Sequence, residues 1–411
     1  VNEWKEVRLG EVVQINPESL TKDYPFNVID YIDISSVGTG ELRETTQYPI
    51  SEAPSRAKRL VRAGDTILST VRPNRRSFLY LKKPKENQVV STGFAVLRAT
   101  EKINSRYLYY LISDQKFTDY LVSQEQGAAY PAVSIDSIKN AIVLLPDLET
   151  QEKIASILGS IDDKIELNVE MNKTLEEMAM TLYKHWFVDF GPFQDGEFVE
   201  SELGMIPEGW ECIEIGEAVS VLGGGTPKTS VKEYWENGDI NWFSPTDLTT
   251  QKSLFISKSS KKITKLGLEK SSAKLFPPYC VMMTSRATIG EISINREEAC
   301  TNQGFITLIP NETFTMYQLY FWLKTNMDLI LSIANGSTFK EVSKTNFKKL
   351  KILKPKNIEE FTQKCEKLFK LIESNLIEIE ELTNIKDYLL PRLLSGEIDV
   401  SKAEKQVEEV L

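Results

Sequence analysis

Two stretches of this chain carry the same apolar seam, 207 residues apart, and that repeat limits the possible folds more than any other feature. Over roughly 151–187, Ile154, Leu158, Ile161, Ile165, Asn168, Asn172, Leu175, Ala179, Leu182 and Trp186 are spaced alternately four and three apart. Over roughly 358–394, Phe361, Cys365, Leu368, Ile372, Asn375, Ile379, Leu382, Lys386, Leu389 and Leu393 repeat that spacing. A four-three alternation sustained this long predicts a coiled-coil seam, because a period of about 3.5 keeps one apolar edge turned toward a facing helix. A mid-seam asparagine recurs, Asn168 against Asn375. Either the two pair across the interface and fix its register at some cost in stability, or they face solvent in a tolerant turn. Lys386 stands where the first copy has Ala179, so that turn either frays or bonds outward.

The repeat extends beyond the helices. Trp4-Lys-Glu-Val-Arg-Leu-Gly-Glu-Val-Val13 matches Trp210-Glu-Cys-Ile-Glu-Ile-Gly-Glu-Ala-Val219, and Pro207-Glu-Gly ahead of the second copy is a turn that restarts the fold. Short β-rich runs follow, at 28–34, 66–71 and 95–98 in the first half and at 240–243, 281–284, 291–294 and 306–309 in the second, punctuated by Gly and Pro. Ser91-Thr-Gly-Phe-Ala-Val-Leu97 aligns with Asn302-Gln-Gly-Phe-Ile-Thr-Leu308, and a helix over 104–122 with one over 315–333. The Gly loop Gln126-Gly-Ala-Ala-Tyr130 aligns with Asn335-Gly-Ser-Thr-Phe339. Short helices capped by Ser134 and Ser343, then strands over 141–146 and 350–355, lead into the long helices. Repeats this long are a duplicated domain and not a solenoid.

The expected fold class is α+β: two β-rich blocks separated by two long coiled-coil helices, with internal pseudo-two-fold symmetry if those helices pair antiparallel, as the resemblance described below implies. The bounds are a first block at 1–150, a first long helix at 151–187, a linker at 188–206, a second block at 207–357, a second long helix at 358–396 and a C-terminal tail at 397–411. Antiparallel pairing predicts a rod of roughly 50 Å, at about 1.5 Å per residue, with one block at each end.

Charge sharpens this division. The net −10 looks wrong for a nucleic-acid binder until it is apportioned: residues 1–150 are neutral, 151–206 carry −8, 207–357 carry +4 and 358–411 carry −6. The acid lies on the helices, whose outer faces repel a phosphate backbone, while the blocks are neutral to basic. Cys212, Cys280, Cys300 and Cys365 lie far apart and His185 is the single histidine. That pattern argues against a zinc site or a disulfide scaffold and fits a reducing cytoplasm. No stretch approaches the length of a membrane span, and the charged N-terminal stretch does not read as a signal peptide.

No catalytic constellation emerges. An adenine methyltransferase needs a glycine-rich turn after a strand and an Asn/Asp-Pro-Pro-aromatic loop, and the sequence has neither. Gly223-Gly-Gly-Thr-Pro-Lys228 lacks the Gly-Lys-Ser/Thr ending of a phosphate-cradling loop, and Pro227 breaks the helix start. It is a loop that either contacts DNA, with Lys228 as its cation, or merely turns. Pro146-Asp147 leads into the first long helix with Asp147 at its positive end, without the Glu-x-Lys of a nuclease. His185 has no Ser or Cys partner and reads as a packing residue beside Trp186. What remains is binding chemistry. Arg72, Arg75 and Arg76 cluster after one strand, and Arg286 with Thr288 follows the equivalent strand. Guanidinium forks suit guanine O6/N7 and phosphate. Gln126 and Asn335 are the types that pair with adenine N6/N7, with Tyr130 and Ser337 in the same Gly loops. Lys340 and Lys344, followed by Lys348 and Lys349, form a run suited to phosphate. The bland alternative for each is a solvated surface.

Taken together these features resemble the specificity subunit of a Type I restriction-modification system. The resemblance covers nearly the whole chain. It is carried by Trp186-Phe-Val-Asp-Phe-Gly-Pro-Phe193, Glu202-Leu-Gly-Met-Ile-Pro-Glu-Gly-Trp210, Gly224-Gly-Thr-Pro-Lys228, Tyr234-Trp-Glu-Asn-Gly-Asp-Ile240 and Leu144-Leu-Pro-Asp-Leu-Glu-Thr-Gln-Glu-Lys-Ile154. It implies that the two blocks are target-recognition domains, each reading one half of a bipartite double-stranded DNA site, and that the helices are a spacer. It implies a non-catalytic cytoplasmic chain with no cofactor of its own. Two modification subunits would dock along the helices and bring S-adenosylmethionine-dependent adenine methylation. Restriction subunits, acting as motor and nuclease with ATP and Mg, would bring translocation and cleavage. The competing expectation is a coiled-coil protein-interaction scaffold with two β-rich binding heads.

Overall fold

The computed structural model describes residues 4–127, 131–336 and 340–408. The chain falls into two compact units, Val1–Leu167 with Glu378–Leu411, and Asn168–Ile377.

The strands of the first unit are β1 (Lys5–Arg8), β2 (Val13–Ile15), β3 (Val28–Ile32), β4 (Thr46–Pro49), β5 (Ala57–Leu60), β6 (Thr66–Ser69), β7 (Phe78–Tyr80), β8 (Gln88–Ser91), β9 (Phe94–Ala99) and β10 (Ile142–Leu145). They form an antiparallel sheet β2-β9-β6-β7, a mixed sheet β4-β3-β8-β5 and the pair β1-β10. Strand alternation sorts the side chains of the first sheet onto two faces. Ile67 and Val96 pack with Ile32 and Val90 of the mixed sheet, while Leu68, Ala95 and Leu97 pack against the helices. The sheet is covered on both faces, which is why β6 is buried at every residue.

The helix expected over 104–122 is two helices, α1 (Ser105–Ser113) and α2 (Gln115–Ser123). Asp114 adopts ψ 141° and its side chain accepts the Lys116 N–H, so it ends one helix and caps the next. After α3 (Ile135–Asn140) and β10, α4 runs over Leu148–Phe187. Asp147 Oδ1 accepts the Thr150 N–H at 2.8 Å at its start.

The second unit repeats the plan. A hairpin of β11 (Phe198–Ser201) and β12 (Gly204–Pro207) precedes β13 (Glu211–Glu214), α5 (Ile215–Ala218), β14 (Ser220–Gly223), β15 (Ile240–Phe243), α6 (Pro245–Gln251), β16 (Phe255–Ile256), β17 (Lys261–Ile263) and α7 (Lys265–Glu269). Then come β18 (Val281–Thr284), β19 (Ile292–Asn295), β20 (Ala299–Thr301), β21 (Phe305–Ile309), α8 (Met316–Thr325), α9 (Met327–Ser332), α10 (Lys344–Lys348), β22 (Lys351–Lys354) and α11 (Glu359–Leu394). The sheets are β14-β21-β18-β19-β16, β17-β15-β20 and the pair β13-β22. Val281, Met283, Ile306 and Leu308 meet the helices, and Met282 and Phe305 meet Phe243 of the three-stranded sheet. Here too the expected helix over 315–333 is broken, at Asn326.

The two long helices pack together and run antiparallel. In the first unit Lys386 meets Asp162 at 2.8 Å and Glu378 meets Lys164 at 3.1 Å. In the second unit Asn375 meets Asn172, and Phe361 meets Tyr183, Trp186 and Phe187. Of the seam residues, Ile154, Leu158, Ile161, Leu382 and Leu389 are buried in the first unit's core, with Ile165 half-buried beside them. Phe361 and Ile372 are buried in the second unit's core, with Leu175, Leu182 and Leu368 packed against it, and Ile379 is half-buried.

Two expectations about the seam need correction. Asn168 and Asn375 are both buried, but the Asn375 amide donates to Asn172 Oδ1 at 2.9 Å, one turn along from Asn168. Antiparallel helices bring repeat-equivalent residues face to face at only one height, and these asparagines lie off it. The turn around Lys386 neither frays nor bonds outward. Its ammonium crosses to Asp162, which also accepts the Tyr110 hydroxyl at 2.7 Å.

Helix acid is also used inside each unit. Asp163 takes Arg106 and Lys82 at 2.7 Å, Glu373 takes Arg296 at 3.1 Å, and Glu176 takes Lys324 and the Tyr320 hydroxyl. These bonds tie each block to a long helix of its own unit. In the stretch 397–411, α12 (Val400–Glu408) buries Ala403 and Val407 against Leu389 and Leu393. No helix among the described residues is long and apolar enough to cross a membrane.

Candidate nucleic-acid interface

In the antiparallel order β2-β9-β6-β7, the end of β6, the start of β7 and the start of β9 fall at one sheet edge. The same holds for the ends of β14 and β18 and the starts of β19 and β21. Chain connectivity therefore brings the loops singled out in the sequence to equivalent edges. In the first unit the Thr70 N–H donates to Gly93 O at 2.9 Å, and in the second the Ser285 N–H donates to Gly304 O at 2.8 Å.

The described residues that flank the Gly loops join these edges. The Arg72 N–H donates to Pro131 O at 2.9 Å and the Val133 N–H to Thr70 O at 2.8 Å, while Gln126 and Ala132 exchange both backbone bonds. In the second unit the Ala287 N–H donates to Lys340 O at 3.3 Å and the Val342 N–H to Ser285 O at 2.9 Å, while Asn335 and Glu341 exchange both bonds. The match is residue for residue. It makes Val71 the counterpart of Arg286, and Ala287 that of Arg72. Arg72 and Ala287 share a left-handed backbone, φ 49° and 64°.

Placement separates the candidates. Arg75 is exposed and Arg72 half-buried. Arg76 turns inward, donating from Nη1 to Gln115 Oε1 at 2.5 Å and from Nη2 to Ser113 O at 2.6 Å. It holds the end of α1 and leaves the cationic cluster. Gln126, Arg286, Thr288, Asn335, Lys340 and Lys344 are exposed, and Arg286 Nε lies 3.7 Å from Glu341 Oε2. Tyr130 and Ser337 lie outside the described residues. Lys228 is exposed beyond a tightly packed loop: a Cβ on Gly224 would stand 2.0 Å from Asn302 O, and one on Gly225 2.2 Å from Ser272 Oγ. Those glycines serve close packing. Thr226 nevertheless reaches the same edge, donating to Gln303 Oε1 at 2.6 Å.

Three further exposed or half-exposed groups at these edges are marked as binding residues by no motif in the sequence. Arg56 is exposed, and its carbonyl accepts the Thr92 N–H. Gln303 is exposed at the start of β21. Glu341 precedes the buried Val342, and that alternation was the available signal for it.

Fold and edge together define a class: a duplicated α+β chain in which each unit presents a polar, cation-bearing loop cluster on the same framework. Residues 2–177 and 207–387 each match the Type I restriction modification DNA specificity domain. The chain belongs to that family. It is 27% identical to the Type I restriction enzyme HindI specificity subunit of Haemophilus influenzae, over 97% of this chain and 100% of that one. It is 28% identical to the MjaIX specificity subunit of Methanocaldococcus jannaschii, over 97% of this chain and 89% of that one. A crystal structure of a Type I restriction-modification S subunit from M. genitalium has the same fold, with a TM-score of 0.57 and 14% identity, over 95% of this chain and 96% of that one.

Proposed function

We propose that this chain is the sequence-reading subunit of a Type I restriction-modification complex. Each block reads one half of a bipartite double-stranded DNA site. The paired helices set the spacing between half-sites and dock two methyltransferase subunits, and restriction subunits join that assembly in the cytoplasm. The observation that carries this reading is the double match to a DNA specificity domain, laid over two units that gather the same loops at the same sheet edge. It favours DNA reading over a protein-interaction scaffold.

In this reading the chain holds no catalytic centre. S-adenosylmethionine, ATP and Mg belong to the partner subunits.

The test is adenine-methylation mapping in cells carrying the modification subunits with and without this chain. A bipartite methylated motif that disappears with the chain is expected. A motif that persists without it overturns the reading.

A further inference from the structure

We propose that a three-residue row in each unit reads base edges: Val71, Ala132 and Gln126 in the first, Arg286, Glu341 and Asn335 in the second. The inference rests on the function proposed above and adds which side chains decide the sequence read.

Val71 pairs antiparallel with Ala132, and Ala132 with Gln126. Arg286 pairs with Glu341, and Glu341 with Asn335. Directly opposed residues of an antiparallel ladder place their side chains on one face, closest at pairs that exchange no hydrogen bonds. Val71–Ala132 and Arg286–Glu341 are pairs of that close kind, flanked by the bonds described above. Each row therefore sets three side chains abreast at the sheet edge.

The framework is the same in both units, yet two of the three side chains differ in chemistry, Val71 against Arg286 and Ala132 against Glu341, while Gln126 and Asn335 both carry an amide. That combination is what two readers of different half-sites require. In the second unit the Glu341 carboxylate lies 3.7 Å from Arg286 Nε and leaves the guanidinium accessible, since the two side chains are 45% and 56% exposed. A guanidinium fork matches guanine O6/N7, and Asn335 beside it matches adenine N6/N7. The first row has only apolar groups at Val71 and Ala132, suited to a thymine methyl, and the amide of Gln126, suited to adenine. The cations next to the rows, Arg72 and Arg75 in one unit and Lys340 and Lys344 in the other, are placed for phosphate. The second unit's half-site accordingly contains guanine at the Arg286 position, and the first unit's row reads A·T pairs.

The test uses the intact complex with its modification subunits and adenine-methylation mapping. The triple variant Arg286→Val, Glu341→Ala, Asn335→Gln transplants the first row into the second unit. The half-site read by the second unit should change, with the other half-site and the spacing retained. Arg286→Lys keeps the charge but loses the fork, and discrimination at one guanine should fall about tenfold or more. This single change decides the matter if the triple variant does not fold. Lys340→Ala with Lys344→Ala should weaken methylation at every site and leave the motif intact. An active triple variant with an unchanged motif, or a motif altered by the lysine changes and not by Arg286→Lys, overturns the row. If the unaltered complex methylates no bipartite motif, the functional reading has failed instead.

Discussion

Arg75 and Arg76 are neighbours of one type with separate tasks, and only their surroundings tell them apart. The Arg76 guanidinium is bonded to the Ser113 carbonyl and to Gln115, so Arg76→Ala should lower unfolding stability by about 1–3 kcal/mol. Arg75 is exposed, and Arg75→Ala should leave stability within about 0.5 kcal/mol while reducing the salt slope of DNA binding by about 1. Denaturant titration and binding at graded salt separate the two. Asp163 carries a second residue-scale prediction. The hydrogen bond from Arg106, aided by Lys82, holds its carboxyl at about 2 against an ordinary 3.8. Stabilisation from a depressed carboxyl is present above the unfolded value and is lost as pH falls through the folded one. Asp163→Asn should therefore lower the melting temperature at neutral pH, and the gap to the parent should close as pH is taken from about 4 to about 2. A gap that widens in acid would contradict this assignment.

The long helices show what periodicity conveys and where it stops. The four-three spacing identified both seams, because an apolar edge repeating every 3.5 residues has one way to be buried. It left open which asparagines meet, because facing partners depend on the relative height of two helices. The bond found is Asn375 to Asn172. Asn172→Leu leaves the buried Asn375 amide without that acceptor and should cost about 1–3 kcal/mol. Asn172→Leu with Asn375→Leu should recover most of it, at the risk of register slippage. Thermal unfolding of the three proteins checks the order; a double variant less stable than the single would refute it. Residue spacing makes the 104–122 and 315–333 helices look continuous for a related reason. Apolar spacing runs through Asp114 and Asn326, and only their capping geometry reveals the breaks.

For the whole molecule the apportioned charge is informative, but not in the simple form of acidic outer faces. Part of the helix acid is consumed in bonds to the blocks, at Asp163, Glu176 and Glu373. If the helices are the spacer, seven residues inserted in each at matching heights preserve the seam and add roughly 10 Å, about three base pairs at 3.4 Å each. Methylation mapping should show a gap lengthened by about that much with both half-sites unaltered. An unchanged gap would remove the spacer role. Exchanging residues 1–150 for the matching block of a relative should change one half-site alone.

The duplication, the two seams, the α+β class and the resemblance to specificity subunits were all readable from residue order, because each depends on local spacing or on short motifs. The candidate edge was readable only in part. Arg72, Gln126 and Asn335 stood out by type, whereas Arg76 turned inward and Glu341 went unnoticed. Which loops share an edge, which guanidinium is spent on a helix end, and that Val71 is the counterpart of Arg286 all depend on pairings between segments far apart in the chain. Tertiary structure alone decides those, since the hydrogen bonds that set them join backbone groups whose side chains leave no periodic trace.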